Sequence, residues 1–186
     1  MSEYAKEELA LLLDGKLAWD RVQEIIKDAK DSDRFEKMVS IYQSRAAFKE
    51  PIIMPLTPYL FIVQKGKDYV VKCKCGQEYG DYRVNWKLYS SIFVRETDED
   101  LDSVYPGVQK PDRDFCQVRE YYCPGCGAQL EVETLPPGMP ADFEFLPDID
   151  AFHAEWLKKP LKEKTEFCDN TGKVIAGWVK DLASGK

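Results

Sequence analysis

The chain has 186 residues, 44% of them hydrophobic, and its 33 acidic against 26 basic side chains leave a net charge of -7. That length holds one medium domain, or a domain with an extension, and the composition supplies a modest core for a soluble globular protein. The acidic balance argues against a duplex or phosphate-rich partner, because nonspecific nucleic-acid binding rests on clustered lysine and arginine. No segment approaches the roughly 18 consecutive apolar residues of a membrane span. The start, MSEYAKEELALLLDGK, is acidic and lacks the basic region and cleavage site of a signal peptide.

Residues up to about 48 read as helical. Leu9, Leu12 and Leu13 form a first apolar stripe closed by Asp14-Gly15, and Trp19, Val22, Ile25 and Ile26 form a second. Phe35, Met38, Val39, Tyr42 and Ala46 recur at helical spacing in a third, where Asp33 and Glu36 fit a capping box. Such stripes are core rather than cofactor surfaces. Pro51, Pro55 and Pro58 then interrupt the pattern.

From Tyr59 the chain becomes β-like. YLFIVQ and YVVKCKC flank Lys65-Gly66-Lys67-Asp68 as a hairpin that carries a first cysteine hook on its second strand. The segments 115–122 and 129–134 flank a second hook. Between them, Trp86, Leu88, Ile92, Phe93 and Val94 add another strand or two, and Thr97-Asp98-Glu99-Asp100 opens a short helix running toward Tyr105. Carboxylates beside a helix N-terminus are favourable without a metal, so the helix start is preferred over a cation site.

Four of the six cysteines lie in these hooks, Cys73-Lys74-Cys75-Gly76 and Cys123-Pro124-Gly125-Cys126-Gly127. Two short loops facing each other suit a tetrahedral tetrathiolate, zinc first among the ions that take it. The glycine after each second cysteine allows a tight turn that points amides at sulfur. A closed four-thiolate shell leaves no position for substrate, so Cys73, Cys75, Cys123 and Cys126 are expected to hold a structural ion. Ordinary thiols or a disulfide are the alternative, against which the paired spacing on both sides counts. Cys116 and Cys168 have no close partner and read as buried small hydrophobes. Free thiols and a thiolate site fit a reducing cytoplasm.

After the second hook, LPPGMPADFEFLPDIDAFHAEWL contains four prolines, while Phe143, Phe145, Phe152 and Trp156 need apolar surroundings. The segment reads as an extended arm, laid either on another subunit or on its own domain. His153, the sole histidine, falls in a short helix from Asp148 to about Lys158 and reads as a surface or packing residue. VIAGWVKDLA ends the chain as a last helix or a loose tail. The expected fold is α+β: N-terminal helices (1–50), a zinc-ribbon-like antiparallel β module (51–135), and an extended proline-rich C-terminal arm with a terminal helix or tail (136–186). No phosphate loop, dinucleotide fingerprint, serine elbow or histidine-rich catalytic set occurs, which favours a subunit over a complete enzyme.

PLTPYLFIVQ with CKCG, NWKLYSSIFVRET, the following YPG, REYYCPGCG and FLPDIDAFHAEWL occur in the order and at the spacing of one family. The chain resembles the γ subunits of acetone carboxylase from its first helices to about Leu161, and a related ketone carboxylase, acetophenone carboxylase, has a similar small subunit. The resemblance implies a complex of α, β and γ chains that joins acetone to bicarbonate, with ATP hydrolysis, to give acetoacetate. For an acetophenone enzyme the product would be benzoylacetate. The larger, hydantoinase-like subunits would bind ATP with Mg and a Mn ion. This chain would be a non-catalytic part of a C–C bond-forming ligase, inactive alone, with Cys73, Cys75, Cys123 and Cys126 as zinc ligands and no catalytic residue carried over. Two other readings are a free-standing zinc-ribbon adaptor for nucleic acid and, since the same ligands accept iron, an electron-transfer protein.

Overall fold

Near residue 50 the helical apolar spacing gives way to short apolar, β-like runs, and the structure changes with it. The computed structural model describes residues 4–28, 31–105, 107 and 109–184. Residues 1–3 of the acidic start and Pro106 of the YPG run lie outside the described residues. Three helices open the chain: α1 (Lys6–Leu13), α2 (Trp19–Lys27) and α3 (Arg34–Arg45). Their inward stripes bury Leu9, Ile25 and Ile41 with Tyr4 in a small helical core. Asp31 ties this corner together by pairing with Arg34 at 2.7 Å and Lys37 at 3.3 Å. The capping box expected at Asp33 and Glu36 does not form, because the Asp33 carboxylate pairs with Lys37 one turn on, at 2.9 Å, and makes no cap bond.

The first sheet is antiparallel, with strands β1 (Ile52–Pro55), β2 (Leu60–Lys65), β3 (Asp68–Cys73) and β4 (Glu78–Asp81) in that order. β2 is apolar on both faces and buried on both. Phe61 and Val63 pack under Tyr42, Met38 and Val39 of α3. Leu60 and Ile62 face the other way into the main core. Neither β1 nor β4 was expected from sequence. β1 ends in Pro55, which an edge strand tolerates because it need not donate there. β4 is polar, four residues long, and pairs with β3 across a register shift.

A 3-10 turn (Trp86–Tyr89) leads to β5 (Ser91–Arg95), then the short α4 (Asp98–Asp102), then β6 (Gln117–Tyr122) and β7 (Gln129–Leu135). β5, β6 and β7 form a second antiparallel sheet in chain order. α4 has the expected start: the Thr97 hydroxyl accepts from the Asp100 N–H at 3.1 Å, and the Asp100 carboxylate accepts from the Thr97 N–H at 3.3 Å. The main core joins the sheets, bringing Ile62, Val71, Tyr79 and Trp86 together with Tyr121, Cys123 and Leu130.

Residues 136–148 contain no helix or strand, and α5 (Ile149–Ala151) then runs into a π-helical turn (Phe152–Trp156). Part of the segment packs on its own chain, one of the two placements open to it from sequence, and part of it stays exposed. Ile149 is fully buried in the main core, Ala141 and Leu146 pack against it, and Phe152 stacks edge-on against Phe35 at 5.1 Å. Phe145 and Trp156 are exposed, at 60% and 79%. The chain ends in α6 (Thr171–Ala183), none of whose residues is buried.

Candidate metal centre

Both cysteine hooks are hairpin turns, one in each sheet. In the β3–β4 turn, Cys73 donates its N–H to the Gln77 carbonyl at 2.8 Å, and its own carbonyl accepts from Gly76 at 2.8 Å. In the β6–β7 turn, Cys123 donates to the Ala128 carbonyl at 2.9 Å and accepts from Gly127 at 2.8 Å. The glycines that end the two hooks sit at φ 97° and 70°, a region open to glycine at little cost. Gly125 is favoured for a different reason, since a Cβ there would stand a tight 3.1 Å from the Gln77 Cβ and 3.4 Å from the Cys75 sulfur.

The turns face each other so that all four sulfurs lie within 4.8 Å of one another. Across the hooks, Cys73 Sγ is 3.9 Å from Cys126 Sγ and Cys75 Sγ is 3.7 Å from Cys123 Sγ. A tetrahedral ion with metal–sulfur bonds of ~2.3 Å sets its ligands ~3.8 Å apart, whereas a disulfide requires ~2.05 Å. The separations therefore fit a tetrathiolate, and all six cysteines are free. Cys73 and Cys123 are buried in the core between the sheets, while Cys75 and Cys126 are exposed at the rim.

The electrostatics fit a cation as well. Burial pushes the Cys73 and Cys75 thiols up, each against the effect of a nearby backbone N–H. Burial acts on Cys123 in the same direction, but the facing Tyr79 hydroxyl and the N–H groups of Gly125 and Cys126 outweigh it and bring the thiol down to about 7. Four thiols in one small space resist losing their protons together, and a dication offsets that resistance.

The other residues singled out from sequence lie elsewhere. His153 is half-buried, with Nε2 3.1 Å from the Ile53 carbonyl oxygen and its ring edge-on to Phe35 and Phe152. Cys116 and Cys168 are half-buried, not buried as expected. They lie in loops before β6 and α6, with their sulfurs 3.6 Å from the Asp112 carbonyl oxygen and the Asn170 side-chain oxygen.

A second cluster was not read from the sequence. Lys87 is buried in the core, with its ammonium 2.7 Å from both Glu131 and Glu133 and 3.6 Å from Glu144. Glu133 also accepts from the Tyr121 hydroxyl at 2.5 Å and from the Asp142 N–H at 2.9 Å. Burial pushes the Glu133 carboxyl up, but Lys87, Tyr121 and Asp142 together hold it below the usual range. Glu131, with fewer donors, is pushed above it by burial. The lysine ammonium already serves these carboxylates as their cation. The sequence signal was the alternation of β7, QLEVETL, which puts Glu131 and Glu133 on one face.

The family model described as acetone carboxylase gamma subunit matches residues 46–157, a span that contains both hooks, the Lys87 cluster and His153. The acetone carboxylase gamma subunit of Xanthobacter autotrophicus is 37% identical over 165 residues, which cover 88% of this chain and 98% of that one. The acetophenone carboxylase beta subunit of Aromatoleum aromaticum is 36% identical over 87 residues, 46% of this chain and 67% of that one. With two turns that converge on four thiols and similarity along nearly the whole of a gamma subunit, the chain belongs to the acetone carboxylase gamma subunit family.

Proposed function

We propose that this chain is the small, zinc-binding structural subunit of an ATP-dependent ketone carboxylase, with acetone and bicarbonate joined to give acetoacetate on larger partner subunits. The convergence of the four sulfurs carries the reading, because it makes a closed donor set that cross-links the chain. Acetone is preferred to acetophenone because the acetone carboxylase relative matches along 98% of its length, and the acetophenone carboxylase relative matches less than half of this chain.

Cys73, Cys75, Cys123 and Cys126 would hold the zinc, making the module of residues 51–135 a zinc ribbon in which two hairpin turns clamp one ion. When bound, the ion supplies a cross-link between the two sheets. The chain's own residues do the rest: the N–H groups of the turns face the sulfurs, and the aromatic core beneath excludes water from Cys73 and Cys123. The donor set leaves no coordination position for a ketone, so this chain takes no part in bond making. ATP, Mg and Mn belong to the partners in this reading.

The helical region (1–50) and the proline-rich arm at the start of 136–186 would provide the contacts to the larger α and β subunits. Trp19 and Ile26 of α2 and Phe145 and Trp156 of the arm support this, because all four are large, apolar and more than half exposed. The free thiols support a reducing, cytoplasmic setting.

The test is purification of the tagged chain from its native host at moderate salt, with identification of its partners and assay of ATP-dependent carboxylation. Two larger subunits and acetone-dependent acetoacetate formation by the complex, with none by the isolated chain, are expected. A solitary chain, or one that carries iron and is redox-active, would contradict the proposal.

A further inference from the structure

Tyr79 is a buried polar residue beside the candidate metal centre whose hydroxyl meets no partner in regular hydrogen-bond geometry. It lies on β4, directly after the first hook, and is 1% exposed. Its ring is fixed edge-on against Trp86, with centroids 6.2 Å apart and an interplanar angle of 89°. Its hydroxyl is buried and makes no regular hydrogen bond. It packs in the same buried cluster as Cys73 and Cys123, and after burial itself Cys123 is the group that acts on its hydroxyl most strongly. Burying a hydroxyl without a partner is unfavourable, so an aromatic at this position would pack as well or better as phenylalanine unless the oxygen had an acceptor. Tyr82 and Tyr69, in the same core, have theirs, at 2.8 Å from Thr165 Oγ1 and from the Glu163 carbonyl oxygen.

We infer that the Tyr79 hydroxyl donates to the Cys123 thiolate of the bound metal site, making Tyr79 a positioning residue that links the first hook to a ligand of the second. The inference rests on the proposed metal site. Thiolate ligands gain stability from donors behind them, and the loss of such a donor weakens metal binding while the ligands themselves stay in place. The hydroxyl reaches across from one sheet to the sulfur of the other, so it also fixes the direction from which Cys123 presents its lone pair.

The test compares full-length wild type, Tyr79→Phe and Tyr82→Phe, measuring Zn²⁺ affinity by competition with a chromophoric chelator and recording the thiolate-to-metal charge-transfer band with Co²⁺. Tyr79→Phe is expected to weaken Zn²⁺ binding about tenfold and to move the Co²⁺ band to longer wavelength, because a thiolate that loses a hydrogen-bond donor gives up electron density more easily. Tyr82→Phe is expected to leave both unchanged. Wild-type affinity and an unshifted band in Tyr79→Phe would overturn the role of Tyr79 while leaving the metal site standing. Equal losses in both variants would overturn it in favour of general packing. A wild-type chain that binds neither ion would overturn the metal reading and this inference with it.

Discussion

Strand β2 and helix α6 carry similar apolar content and meet opposite fates. In β2, Leu60, Phe61, Ile62 and Val63 are each fully buried, because α3 covers one face of the strand and the second sheet covers the other. In α6, Ile175, Trp178, Val179 and Leu182 are exposed, and what fixes the helix is slight: the Asn170 N–H to the Arg83 carbonyl at 2.8 Å, the Thr171 hydroxyl accepting from the Asn85 N–H at 2.9 Å, and Trp178 edge-on to Tyr89 at 5.8 Å. Apolar spacing determines which face of an element is apolar. Whether that face is covered depends on the elements packed beside it, and among the described residues no helix or strand buries the apolar side chains of α6.

The largest effect that would break this contrast lies at the proposed metal centre, which would tie the core side together. Cys123→Ser is expected to remove bound zinc and the folded two-sheet body in one step, because structural zinc contributes on the order of 10 kcal/mol to small domains. Metal content and near-ultraviolet circular dichroism should fall together, and a folded body without zinc would show that the ion is not the staple. Next in size is the buried ion pair. Glu133→Gln leaves the Lys87 ammonium with a weakened partner set in the core, and breaking such a pair costs about 3 kcal/mol, measurable by urea unfolding of the intact chain.

Acid should act on the helical corner in a defined direction. Burial raises the Asp31 carboxyl, but Arg34, Lys37 and backbone N–H donors outweigh it and hold it at about 2. Its folded value lies below its unfolded one, so its contribution is fully present above about pH 4 and is lost as pH falls toward 2. The melting temperature of Asp31→Asn should therefore lie below that of wild type at pH 6 and converge with it as pH approaches 2, from a difference of up to about 2 kcal/mol. The smallest effect is expected in α6. Trp178→Ala removes one exposed edge-on contact and should change stability of the isolated chain by less than about 1 kcal/mol. A larger loss would mean that α6 is part of the core.

The sequence made the hooks legible because paired cysteines at short spacing, the pattern that metal ligation would require, stand out more sharply than packing residues do. The β2–β3 hairpin was legible through the two β-like runs that flank Lys65-Gly66-Lys67-Asp68, the β6–β7 pair through the runs that flank the second hook, and α4 through Thr97 and its acidic turn. β4 was not, because Glu-Tyr-Gly-Asp has no alternating apolar face and is recruited as a strand by the first hook turning the chain back along β3. Lys87 was hidden between Trp86 and Leu88, where only the tertiary fold places two β7 glutamates against it. Asp33 misled because a local capping pattern competed with an ion pair one turn away. Tyr79 gave no signal in sequence, since its role depends on a sulfur supplied by the opposite sheet.

The most direct test of the central claim is native mass spectrometry of the intact chain combined with alkylation mapping of its six cysteines. The expected result is one zinc per chain, with Cys73, Cys75, Cys123 and Cys126 protected while Cys116 and Cys168 are labelled, and all six labelled once a chelator has removed the ion. A folded, metal-free chain whose four hook cysteines alkylate as readily as the other two would contradict it.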